Sequence, residues 1–139
     1  MAGDNDTAAQ GRSPLSEITY PAVSADTMRL VAALMDDPNP IHFDAVSARK
    51  AGLGDRMVVQ GPVTFGRMLV FAAKAMGGMD GVGHASIRFL SNVFEGERLT
   101  CGGSIDVSDE SSNDITVECE ARVGDRIVAR MRVTSGCCT

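Results

Sequence analysis

Several things are scarce in this sequence, and each shortage narrows what the chain can be. No run of about 18 or more apolar residues occurs, so no membrane-spanning helix, and no membrane partner, is expected. Positive charge is not in excess: 13 Lys and Arg stand against 18 Asp and Glu, a net charge of −5. Nucleic acid calls for a basic face and is not the expected partner. A small phosphorylated ligand stays open, because a few local Arg or Lys residues suffice to hold one. The four cysteines, Cys101, Cys119, Cys137 and Cys138, lack CxxC spacing and have no histidine near them in sequence, so no metal site is expected. Cys119 falls on an apolar strand face and reads as core. Cys137 and Cys138 read as free thiols at the tail of a cytoplasmic protein. Residues 1–13 are polar and lack the apolar stretch of a secretory signal. They belong to an expected disordered tail over residues 1–15.

What is present is ordinary for one globular domain. The chain has 139 residues, 44% hydrophobic and 22% charged, enough for a real core. We place that domain at residues 16–136, with 137–139 as a C-terminal tail and no internal repeat.

Ile18-Thr19-Tyr20 is a short extended segment ended by Pro21. Ser24 suits the N-cap of a helix over residues 25–36, where Met28, Val31, Ala32 and Met35 recur at helical spacing. Pro38 biases its predecessor away from helical geometry and should end the helix at Asp36 or Asp37. Asp44 caps a second helix over residues 45–51, closed by Gly52. Residues 63–76 form the most apolar segment, charged only at Arg67 and Lys74. That pattern predicts a buried helix with one narrow edge, solvated or facing a dimer partner. Beyond it the period changes to two. Ala85-Ile87-Phe89, Leu99-Cys101-Gly103-Ile105, Ile115 to Val123 and Ile127 to Val133 alternate with polar residues, and the polar cluster at residues 109–113 turns the chain. The fold class is therefore α+β: a curved antiparallel sheet wrapped around one long central helix.

Histidine is rarer than any other group with chemistry at neutral pH. His84 follows Gly83 at a strand start and reads as a surface residue. His42 closes the stretch Asp37-Pro38-Asn39-Pro40-Ile41-His42, a carboxylate and an imidazole on a loop stiffened by two prolines. Such a pair can share a water molecule, one group taking a proton while the other delivers one. Asn39 either orients a partner or closes the turn as an Asx motif. Downstream, the Gly61 N–H opens the buried helix, where developing negative charge is stabilised. An acid–base pair beside an N–H donor suits chemistry next to a carbonyl, such as hydration of an enoyl thioester. On residue types alone, however, the stretch reads more readily as an ordinary turn with a surface or helix-capping histidine.

Asp37-x-Asn39-Pro40-Ile41-His42-x-Asp44, then Ala51-Gly52-Leu53 and the turn at Gly61, resembles the signature of the MaoC-like dehydratases, among them the (R)-specific enoyl-CoA hydratases of the hotdog superfamily. Ile87-Arg88-Phe89 with Val93, Gly96-Glu97 and Leu99 resembles the family's strand pair. The resemblance covers residues 18–134 and implies a hotdog fold. It implies Asp37 and His42 as the catalytic pair for adding water to a trans-2-enoyl thioester, or removing it from a 3-hydroxyacyl thioester. Asn39 would support them, and Gly61 with Gln60 would form the oxyanion and substrate-binding turn. It further implies a CoA or acyl-carrier-protein substrate carrying its own phosphopantetheine arm, with no separate cofactor, Arg88 as a phosphate contact, and a homodimer or higher hotdog oligomer. With five Phe, one Tyr and no Trp, the acyl site would be aliphatic. Two features depart from the pattern: Gln60 replaces the usual histidine before Gly61, and Ser91-Asn92-Val93 lacks the usual proline. Gln60 keeps open a hotdog thioesterase or a tailoring dehydratase, and the resemblance to hotdog proteins, which often pair with a divergent partner, keeps open a partner subunit of a heteromeric dehydratase.

Overall fold

The computed structural model describes residues 11–108 and 114–136. Five strands within them make one antiparallel sheet: β1 (Arg12–Tyr20), β2 (Val82–Phe89), β3 (Leu99–Ser108), β4 (Asp114–Val123) and β5 (Arg126–Ser135), in the order β1-β3-β4-β5-β2. The helices are α1 (Ala25–Leu34), α2 (Ala45–Lys50) and α3 (Gly61–Ala75). The polar turn expected at residues 109–113, the first ten residues of the expected tail, and Cys137 and Cys138 lie outside the described residues.

The long helix expected from the apolar run is α3. Met68, Phe71, Ala72 and Ala73 are buried, and the first three pack in one core with Leu99, Cys101, Val117, Cys119, Val128 and Met131 of the sheet. Burying a side chain the size of Met68 or Phe71 stabilises the fold by about 1.5–3 kcal/mol. The alternation read from the sequence puts these residues inward. Outward lie Glu118, Glu120, Arg130 and Arg132, which pair across β4 and β5. β3 can lie close to β4 at Gly103, because a Cβ there would run into the Glu118 carbonyl.

Several boundaries differ from expectation, α3 for one beginning at Gly61 and not at residue 63. The first strand begins at Arg12, so residues 12–15 belong to the sheet and not to the tail. This is an edge strand with a register shift between Leu15 and Ile18 and mostly exposed side chains, so it shows no clean alternation. Helix α1 ends at Leu34, earlier than Pro38 requires. Asp36 takes a left-handed conformation (φ 50°). Its N–H then donates to Ala33 O (3.3 Å) and the Asp37 N–H to Ala32 O (2.9 Å), closing the helix as a glycine would. The other caps are as expected: Ser24 accepts from the Thr27 N–H, and Asp44 from the Val46 and Ser47 N–H groups.

The edge of α3 is not simply solvated. Arg67 lies over the Tyr20 ring, 5.5 Å from its centre, while the Tyr20 hydroxyl donates to Arg67 O. Burial lowers the Arg67 pKa from its usual value. Lys74 is exposed. Among the described residues, no helix is long and apolar enough to cross a membrane.

Candidate active site

The loop between α1 and α2 is built by short-range hydrogen bonds. Asp37 Oδ1 accepts from the Asn39 N–H (3.0 Å), and Asn39 Oδ1 accepts from the Ile41 N–H (3.3 Å). The single 3-10 turn Pro40–His42 follows. It turns His42 inward, leaving its side chain 12% exposed, with Asp37 at 31%. Asn39 itself is exposed; it closes the turn and does not face the cleft.

His42 Nδ1 lies 2.7 Å from the Val58 carbonyl oxygen. A carbonyl can only accept, so Nδ1 carries the hydrogen and the neutral ring presents a lone pair at Nε2. Nε2 faces Asp37 Oδ2 at 3.4 Å. Two acceptors so close together suit a molecule that can donate to both, such as water.

Val58 belongs to a second wall. Its N–H donates back to Ile41 O (2.9 Å), and it forms a β-bridge with Phe94. The Val59 N–H donates to Val93 O, and the Glu95 N–H to Met57 O. The connection between β2 and β3 is held in turn by Glu97. Its carboxylate accepts from the Phe94 N–H and pairs with Arg126 (2.7 Å) and Arg56 (3.2 Å). Burial opposes the Glu97 charge, but these donors more than offset it and hold the pKa below its usual value.

The walls enclose a cleft of about 170 Å³, lined by His42, Gly61, Thr64, Phe89, Ser91 and Asn92 among others. Asp37 borders a neighbouring depression of about 400 Å³ with Arg29, Ala33, Pro38 and Phe43. His42 thus lines the cleft, while Asp37, in contact with it, lines the depression. Gly61 is the first residue of α3, so its N–H has no acceptor within the helix. A Cβ at this position would lie 3.3 Å from the tip of the Phe89 ring.

His42 is therefore in contact with Asp37 and lines one cleft with Gly61, with Asn39 in the turn behind. Two expected residues are placed elsewhere. Gln60 is 1% exposed and does not line the cleft; its Nε2 donates to Met28 O in α1 (2.8 Å). Arg88 lies on the outer face of the sheet, opposite Arg130, because Ile87 beside it packs inward and strand side chains alternate. It faces away from the cleft. Thr64, Ser91 and Asn92 were not anticipated. Thr64 could have been, as a polar residue one helical turn beyond Gly61 in an otherwise apolar run. The buried cysteines offer no alternative nucleophile. Burial pushes the Cys101 thiol up to about 11 and the Cys119 thiol up to about 12. Among the described residues no cluster could hold a metal ion.

The sequence pattern of the MaoC like domain matches residues 6–124. The chain belongs to the MaoC-like dehydratase family. Solved structures share the fold of this MaoC-like chain. The (R)-hydratase from A. caviae involved in PHA biosynthesis is 18% identical, with a TM-score of 0.76 over 92% of this chain and 96% of that one. The ChsH1–ChsH2 complex from Mycobacterium tuberculosis is 15% identical, with a TM-score of 0.75 over 91% and 97%. A further MaoC-like dehydratase reaches a TM-score of 0.81 at 23% identity, and this chain spans 41% of its length. No curated protein matches the sequence. The sheet wrapped around α3 is thus the hotdog fold expected from the sequence, in a family of hydratases and dehydratases.

Proposed function

We propose that this MaoC-like protein adds water across C2–C3 of a trans-2-enoyl thioester and removes it in reverse. The observation that carries the reading is the locked imidazole. Nδ1 is tied to Val58 O at 2.7 Å, so in the neutral ring Nε2 is the nitrogen that can accept a proton, beside Asp37 Oδ2. Water held between these two atoms loses a proton to the pair as its oxygen bonds to C3. Electron density moves through C2 to the thioester oxygen, where the Gly61 N–H stabilises the charge. The proton held by the pair then passes to C2, so one water is added and the pair is restored. Asn39 acts by fixing the backbone between the two groups. CoA or an acyl carrier protein would bring the phosphopantetheine arm, and no separate cofactor enters the reaction. The exposed Phe89 and Leu90 at the end of edge strand β2 offer a surface for a second hotdog chain, identical or divergent.

The test is hydration of crotonyl-CoA, followed by loss of the enoyl absorbance. Asp37→Asn and His42→Ala should each lower the rate about 10³-fold, within the range typical of general acid–base groups. A rate that survives both substitutions together would sink the mechanism. Free thiol release without hydration would make the protein a thioesterase. Activity that appears only with a second hotdog chain would make it one half of a heteromer, the arrangement seen in the ChsH1–ChsH2 neighbour.

A further inference from the structure

The N-terminus of α3 is short of donors. Pro62 has no N–H, and the Val63 N–H turns back to Gln60 O at 3.0 Å. That leaves the Gly61 amide as the first-turn donor facing the cleft, where a carbonyl oxygen gathering charge is best held by two.

Thr64 stands one turn along the same helix face, three residues from Gly61. It is 4% exposed and lines the same cleft as His42 and Gly61. A threonine inside a helix commonly returns its hydroxyl to the carbonyl four residues back. The Thr64 hydroxyl makes no hydrogen bond among the described residues. The one fully enclosed side-chain polar atom without a partner there is Gln60 Oε1. The unpaired Thr64 hydroxyl therefore keeps contact with the space of the cleft. A buried hydroxyl without a protein partner costs about 1–3 kcal/mol unless something else satisfies it.

We propose that the Thr64 hydroxyl is the second hydrogen-bond donor to the thioester carbonyl oxygen, beside the Gly61 N–H, and supplies what Pro62 removes. The inference rests on the hydration reading of the site. Thr64 donates its hydrogen to the carbonyl oxygen of the bound acyl group. That bond shortens as C3 accepts the water oxygen and the carbonyl becomes an enolate. Thr64 neither gains nor loses a proton overall.

The test uses the full chain and Thr64→Val, which keeps the shape and deletes the hydroxyl. Crotonyl-CoA hydration should fall about 10²-fold in kcat, the typical loss for one such donor, with KM little changed. Thr64→Ser should restore most of the rate. A direct reading comes from crotonyl-CoA freshly mixed with the Asp37→Asn protein, which turns substrate over about 10³-fold more slowly. Its carbonyl stretching frequency should lie below that of free substrate, and adding Thr64→Val should move it back toward the free value. Thr64→Val should melt at or above the wild-type temperature, because the hydroxyl has no partner in the protein. A Thr64→Val enzyme with wild-type kcat and an unshifted carbonyl band would overturn the proposal and leave the hydration reading standing. A marked drop in melting temperature would also overturn it, by revealing a structural role. A wild-type protein that binds no crotonyl-CoA would sink the reading of the site and this proposal together.

Discussion

The two walls of the cleft are made in opposite ways. The Asp37–His42 wall is a half-exposed loop whose hydrogen bonds join residues two or three apart, such as Asp37 to Asn39 and Asn39 to Ile41. In the wall from Val58 to Thr64, Val58, Val59, Gln60 and Thr64 are buried, and distant partners hold it, Gln60 on Met28 and Val59 on Val93. The His42 side chain on Val58 O and the Val58 N–H on Ile41 O join them. One wall carries the titratable groups and contributes little to the core; the other belongs to the core and carries the fixed dipoles. Changes in the first should cost rate; in the second, changes to side chains that brace the core, such as Gln60, should cost stability, and Thr64, which opens onto the cleft, is the exception that should cost rate.

The strongest challenge to that division comes from Asp37→Asn and His42→Ala. A 10³-fold loss of rate corresponds to about 4 kcal/mol of barrier, with the melting temperature expected to move by only a few degrees. A large loss of stability from Asp37→Asn would show that the loop belongs to the core after all. Next comes Gln60→Ala. It removes a buried amide and leaves Met28 O without this donor, so urea denaturation should show a loss of about 2–3 kcal/mol. If rate falls while stability holds, Gln60 belongs to the chemical wall.

Glu97→Gln should cost about 2 kcal/mol at neutral pH, because the carboxylate holds one backbone N–H and two guanidinium groups. Its folded pKa is lowered from 4.5. Its charge therefore stabilises the fold fully above about 4.5, and this contribution is lost as pH falls through the lower folded value. The gap between wild type and Glu97→Gln in melting temperature should close on acidification. A gap that persists in acid would assign Glu97 a role other than charge. Least in size is Asp36→Gly. Glycine takes the left-handed conformation without the cost borne by a side chain, so stability should rise by about 0.5–1 kcal/mol with the rate unchanged.

The fold was largely legible because its signals repeat. Alternation over β2 to β5, and the apolar run that became α3, each express burial several times over. The first strand was cut short because residues 12–15 form a mostly exposed edge, where pairing with β3 leaves little trace in residue type. At the site, Asp37, His42 and Gly61 could be named because they stand within a few residues of the prolines and the helix start that position them. Gln60 and Arg88 were misplaced because a side chain's direction depends on partners remote in sequence. Met28 is 32 residues from Gln60, and the inward face of β2 is chosen by packing on the core.

The sequence by itself thus determined the capped helices, the stiff turn bearing an acid and an imidazole, and the need for a sheet to cover one very apolar helix. These follow from hydrogen bonds and periodicities that act over a few residues. Only the tertiary structure decided which nitrogen of His42 is free, that Gln60 braces α1, and that Thr64 opens onto the cleft with no partner. Those depend on Val58, Met28 and the β2–β3 connection arriving from elsewhere in the chain, and no local pattern records where they come to rest.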